Sequence, residues 1–224
     1  MNNRELYYTV PKVLGGASSR NYLWFIRSVQ LSCRKKYCIT DLYISAHEGA
    51  LKKWADLVGD NTYLFGNLLS YYKKVGTFTS PNQTTRLANA STPFDASMYT
   101  TDGGPVQIGY PNWANPISSW LEKGLKGLGL EALPGALADG KIWGYAYPPS
   151  SMDAKTQSRS SASTAYLREA LAETTNFNLY KNTLAKKVIF DESKKAVGAV
   201  VETGGMEYQL MANKEVIISA GFAR

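Results

Sequence analysis

At 224 residues, 44% of them hydrophobic and 19% charged, the chain is long and apolar enough to build a packed core, which excludes wholesale disorder. The formal net charge of +7 would suit a nucleic-acid or membrane partner, but the basic residues are scattered. The densest cluster, Arg34-Lys35-Lys36, is too short for a basic arm, so no nucleic-acid partner is expected.

The chain opens on Met1-Asn2-Asn3-Arg4-Glu5-Leu6, which lacks the apolar stretch of a secretory signal. No run approaches the ~20 apolar residues of a membrane span, so no membrane partner is expected, and the compartment is left open. An extended start leads into a glycine turn, Val13-Leu14-Gly15-Gly16-Ala17-Ser18-Ser19, and then an apolar run from Tyr22 to Ile26. Residues 28–48 change character, with Ser, Cys, Lys and Tyr in no clear period. Cys33 and Cys38 lie here, with no second cysteine pair and no suitably spaced histidines to complete a zinc site, so no metal is expected. From Gly49 onward Leu51, Trp54, Ala55 and Val58 recur at i, i+3, i+4 and i+7, which predicts a helix. A second helix is predicted from Leu64 to Lys74, with Leu68, Leu69 and Tyr72 on one face.

Residues 76–101, rich in Thr, Ser, Asn and Pro, read as a long loop. Its sequons at Asn82 and Asn89 would accept glycans only in a secreted chain. Pro105 to Ile108 is a short strand, and Asn115-Pro116 supplies an N-cap and a proline at the first position of a helix running to about Leu128. Residues 131–162 are loop, and a helix follows from Ser163 to Glu173. The end is β-rich. Strands at 184–190, 196–201 and 206–211, joined by turns at 191–195 and Gly204-Gly205, form an antiparallel meander. Val216-Ile217-Ile218, wholly apolar, reads as a strand buried on both faces. There are no internal repeats. The fold class is mixed α/β.

Two segments carry chemical interest. In Lys12-Val13-Leu14-Gly15-Gly16-Ala17-Ser18-Ser19-Arg20-Asn21 the glycines allow close backbone approach to a ligand. The N–H groups of the small residues that follow, with Asn21, can donate to a phosphate or a ring carbonyl. Spacing alone reads this more often as a flexible turn. At the other end, Ser219-Ala220-Gly221 leaves space at the carboxyl end of the predicted buried strand, where ligands of α/β sheets sit. In isolation it is equally a core strand ending in a turn.

Together the two segments resemble the FAD-dependent glucose-methanol-choline oxidoreductases, in the flavour of the fungal members. Lys12 to Asn21 is similar to the Gly-Lys-x-Leu-Gly-Gly-Ser-Ser-x-x-Asn stretch of that family. Lys53-Trp54-Ala55-Asp56-Leu57-Val58-Gly59-Asp60, Gly103-Gly104-Pro105-Val106-Gln107, the block from Gln157 to Leu167, Asn182 to Val188, and Lys214 to Gly221 resemble it in the same order. The resemblance implies a fragment of a Rossmann-like FAD-binding domain with a β-meander, together with part of the substrate-binding domain. Residues 1–27 and 166–224 would belong to the FAD-binding part and 49–165 to the substrate part, with 28–48 as an insertion foreign to the family. Leu14, Gly15 and Gly16 would lie along the FAD, while Asn21, Tyr22, Leu23 and Trp24 would pass near the flavin ring. Ala185 would offer its backbone to the adenine, and Ser219, Ala220 and Gly221 would pack close to the cofactor. The implied reaction is hydride transfer from the CH–OH group of a small alcohol to the flavin.

The departures from the family are also specific. Pro11 replaces a glycine or alanine, and Ala17 a serine. No G-x-G-x-x-G turn follows a strand, because Gly124, Gly127 and Gly129 fall inside a helical pattern. The only histidine, His47, matches no family position and is expected to be structural or exposed, so no catalytic residue is assigned. The sequence therefore predicts no alcohol oxidation by this chain alone, and either poor solubility or a loosely ordered N-terminal segment from an unpaired strand at 216–218. A truncated non-catalytic remnant and a basic interaction module are the competing readings. Family-like sequence on both sides of 28–48 suggests a retained intron or a misplaced junction there.

Overall fold

The computed structural model describes residues 10–25, 47–86, 90 and 93–221. Arg34 to Lys36, Cys33, Cys38, Asn89 and nearly all of segment 28–48 lie outside the described residues. The chain divides into two compact units, one spanning Pro11–Ala172, the other Glu173–Arg224 with Met1–Val10.

In the unit Pro11–Ala172, helix α1 (Glu48–Val58) begins at His47, whose imidazole accepts from the backbone N–H of Ala50, and ends at Gly59 in the left-handed region at φ 70°. Of its predicted apolar face, Leu51 and Ala55 are buried, but Trp54 and Val58 stay substantially exposed. Trp54 meets Tyr63 edge-on instead. Helix α2 (Phe65–Lys73) half-buries Leu68, Leu69 and Tyr72, the face its spacing predicts. Strand β1 (Gly76–Phe78) pairs in parallel with strand β2 (Val106–Ile108), placing Phe78 beside Ile108. Strand β1 corrects the reading of 76–101 as uninterrupted loop. Three residues are too few to show a period of two, and the partner strand is distant in sequence.

The core of this unit is aromatic. Phe78 stacks on Tyr99 at 4.5 Å and meets Tyr110 edge-on at 6.2 Å, with Ile108 and Ala138 completing the buried cluster. Gly104 lets the chain pass tight against the end of α2, since a Cβ there would lie 2.6 Å from the carbonyl oxygens of Lys74 and Val75. Helix α3 (Pro116–Gly127) starts as the sequence predicts, with Asn115 Oδ1 accepting from Ile117 N–H and Pro116 in the first turn. The predicted helix 163–173 is two pieces, a π-helical turn Ser163–Leu167 and helix α4 (Arg168–Glu173).

In the other unit, strands β3 (Thr183–Phe190), β4 (Ala196–Thr203) and β5 (Met206–Met211) form the antiparallel meander, ordered β3-β4-β5. Central β4 supplies its buried residues, Gly198, Val200 and Val201. Gly204 and Gly205 turn the chain at φ 59° and 85°, as a tight hairpin requires. The predicted buried strand at 216–218 is not formed. Residues 215–221 are irregular, and Ile217 and Ile218 are 77% and 71% exposed. An apolar run becomes a strand only when a neighbour takes up its N–H and C=O groups, and no strand among the described residues pairs with it.

Candidate cofactor-binding loop

The segment Val13–Phe25 is held by a dense set of hydrogen bonds. Gly16 N–H closes a turn onto Val13 C=O at 3.0 Å, with Gly15 and Gly16 at φ 84° and 54°. A short 3-10 turn, Gly16–Ser19, follows. The Ser18 hydroxyl donates to Gly15 C=O at 2.6 Å, and the Ser19 hydroxyl to Leu14 C=O at 2.8 Å, so the serines fasten the glycine turn from within. The two glycines differ in what they face. A Cβ on Gly15 would lie 2.9 Å from the Cβ of Ser163, whereas nothing among the described residues stands within 4 Å of the equivalent position on Gly16. Gly15 is thus packed against the protein, and Gly16 presents bare backbone outward.

Residues 149–163 clamp this segment. Phe25 N–H donates to Pro149 C=O, and the Leu23 C=O accepts from both the backbone and the hydroxyl of Ser151. The N–H of Ala162 donates to Ser18 Oγ at 3.0 Å. Arg159 contributes most: its guanidinium donates to Ser18 C=O at 3.1 Å, to Asn21 Oδ1 at 2.6 Å and to Asn21 C=O at 2.7 Å. Leu23 sits at φ 70°, a left-handed conformation that costs a residue with a Cβ about 1–3 kcal/mol and tends to occur where function requires it. Ser163, which meets Gly15, opens the π-helical turn, another local distortion common at functional sites.

Leu14, Gly15, Gly16, Asn21, Tyr22, Leu23 and Trp24 therefore lie on one preorganised segment. Leu14, Tyr22 and Trp24 are 42%, 95% and 57% exposed, an apolar and aromatic surface next to open backbone. In the other unit, Ala185 lies on the edge strand β3 with its side chain exposed. A register shift follows immediately, so Lys186 has no residue opposite it in the ladder. Ser219, Ala220 and Gly221 are exposed and irregular, with Gly221 at φ 83°.

His47 is occupied as the cap of α1, beside an open cleft of about 540 Å³ that Lys52, Lys141 and Trp143 also line. Among the described residues no group of three or more potential ligands surrounds a metal position, and no helix is long and apolar enough to cross a membrane. Sequence reasoning missed Arg159. It lies within a family-like block, but no periodicity or spacing links it to residues 138 positions earlier.

The chain is of mixed α/β class, with a hydrogen-bonded glycine turn next to an exposed apolar and aromatic surface. The comparisons narrow that class. The GMC oxidoreductase family profile matches residues 40–224. Versicolorin B synthase of Aspergillus parasiticus is 38% identical over 221 residues, 99% of this chain and 31% of that protein. Among solved structures, an FAD-dependent oxidoreductase from Chaetomium thermophilum superposes with a TM-score of 0.78 at 24% identity, over 95% of this chain and 33% of that one. A fungal aryl-alcohol oxidase gives 0.79 at 21% identity over the same shares. The chain belongs to the GMC (glucose-methanol-choline) oxidoreductase family. It spans about a third of the length of the curated relatives it matches.

Proposed function

We propose that this chain forms part of an FAD-dependent oxidoreductase acting on the CH–OH group of a small alcohol, and that the segment Leu14–Trp24 is its flavin-facing element. The preorganised loop carries this reading. Its open Gly16 backbone and exposed Leu14, Tyr22 and Trp24 suit a flat heteroaromatic ring better than a metal or a compact anion. When bound, FAD supplies the ring that accepts hydride.

The chain's own residues bind, orient and exclude water. Gly16 allows main-chain approach, which a side chain would block. Leu14, Tyr22 and Trp24 offer apolar area that a bound ring would take out of water. The unpaired ladder position at Lys186, next to Ala185, leaves backbone groups available to the adenine, and Ser219, Ala220 and Gly221 are small enough for close packing. No residue of this chain is given the role of base, since the Nδ1 of its single histidine is spent on a helix cap.

In this reading residues 1–27 and 166–224 serve the FAD-binding part and 49–165 the substrate part. Segment 28–48 is an insertion left by a retained intron or a misplaced junction, a point that the mature transcript decides. The functional test is titration of the chain with FAD, followed by flavin fluorescence and the visible spectrum. Saturable binding that Gly16→Val weakens about tenfold, with Lys126→Val without effect, is the expected result. Absence of binding, or binding indifferent to Gly16→Val, would remove the loop from the cofactor site.

A further inference from the structure

Asn21 is the one side chain of the loop whose polar atoms are unequally used. Its Oδ1 receives two donors, the Arg159 Nη1–H at 2.6 Å and the Leu23 backbone N–H at 3.1 Å. A carbonyl oxygen has two lone pairs, so this acceptor is filled. The Nδ2, with two hydrogens, has no partner among the described residues. Turning the amide over would set the NH2 group against two N–H donors and lose both bonds, so the surrounding network fixes which end is which. Leu23 donates its N–H to Asn21 while standing in the left-handed conformation, and Ser151 holds Leu23 through its carbonyl.

We infer that Arg159 is a positioning residue that fixes the sense of the Asn21 carboxamide, so that Asn21 faces its ligand as a hydrogen-bond donor. The inference rests on the flavin reading above and sharpens it. The ligand atom opposite Asn21 is an acceptor: on an isoalloxazine, a carbonyl oxygen or an unprotonated ring nitrogen rather than a ring N–H. All three Arg159 bonds go to neutral oxygens, and no carboxylate pairs with it among the described residues. Its full charge therefore polarises the carboxamide through Oδ1, which strengthens the Nδ2 hydrogens as donors.

Four variants of the 224-residue chain test this, read by amide hydrogen exchange across residues 14–25 and by FAD titration. Arg159→Leu is expected to speed exchange of the Leu23 amide at least tenfold, and Arg159→Lys to restore part of the protection. Asn21→Asp keeps an acceptor for both Arg159 and Leu23, so exchange stays as slow as in the parent chain. It replaces the outward donor with a negatively charged acceptor, so FAD binds at least tenfold more weakly than to Asn21→Ala. Unchanged exchange in Arg159→Leu overturns the inference, and so does FAD affinity in Asn21→Asp equal to that of the parent. Failure of the parent chain to bind FAD defeats the functional reading instead, and the exchange measurements still decide whether Arg159 holds Asn21.

Discussion

Leu23 and Tyr110 show what single residues contribute, in opposite ways. Leu23 accepts a left-handed backbone because Ser151 and Asn21 both bond to it there. The usual ranking of substitutions should therefore invert. Leu23→Val puts a β-branched side chain into that conformation and is expected to cost about 1–2 kcal/mol, although it removes only one methylene. Leu23→Gly removes the whole side chain and is expected to cost less, because glycine adopts φ 70° without strain. Urea denaturation of the two variants checks the order. Tyr110 is buried in the aromatic core, with no partner for its hydroxyl among the described residues. Burial, and secondarily the neighbouring Tyr99, push its phenol well above the usual tyrosine value. A raised acid pKa in the folded state means that stability is full below the unfolded pKa of about 10 and is lost as pH rises beyond it. Tyr110→Phe is expected to move the alkaline unfolding midpoint upward. At neutral pH it should leave stability unchanged or raise it by about 1 kcal/mol, since no hydrogen bond is lost and an unsatisfied buried group is removed. At this scale the sequence exposed the glycine turn and Asn21, because those residue types are rare enough to notice together. Arg159 stayed hidden because its role depends on a contact across 138 positions.

Elements were legible where local chemistry specifies them. Asn115-Pro116 announces helix α3, and Gly204-Gly205 announces the β4–β5 turn, because capping and positive φ are decided within a few residues. Strand β1 and the unformed strand at 216–218 are the reverse cases. The first exists because β2 pairs with it, and the second is irregular without a neighbour. His47 shows how a cap can escape notice, since histidine is not among the preferred capping residues, yet its Nδ1 accepts from Ala50 N–H at 3.0 Å. His47→Ala is expected to lower unfolding stability by about 1 kcal/mol, with His47→Asp, which restores an acceptor, recovering most of it. FAD titration should be the same in both. A histidine variant that altered flavin binding while sparing the helix would give His47 a place in the site that its cap position does not.

At the scale of the molecule, the apolar surface left open is informative. Helix α3 turns Ile117, Trp120 and Leu121 outward, more than half exposed, while Ser119 is buried and Glu122 is half-buried with its carboxylate near the Tyr145 hydroxyl. The cap that identifies the helix therefore says nothing about which face is covered. Ile217 and Ile218 form a second exposed apolar site in the other unit. Patches of this kind favour association, and the net charge of +7 opposes it by repulsion between copies. Salt distinguishes this kind of association from one driven by opposite charges. Contacts between opposite charges weaken as salt rises, whereas apolar contacts between like-charged copies strengthen, because screening removes the repulsion over the Debye length of about 8 Å at physiological salt. The purified chain is accordingly expected to self-associate at micromolar concentration, more strongly at 0.5 M than at 0.05 M salt on the scale of about a twofold or greater shift in the association midpoint. It should also bind an apolar fluorescent dye. Paired substitutions Trp120→Lys with Leu121→Lys, and separately Ile217→Lys with Ile218→Lys, should each reduce both signals, and sedimentation velocity measures the first directly. A chain that stays monomeric at every salt concentration, or one whose association falls as salt rises, would show that these faces are not what drives its contacts.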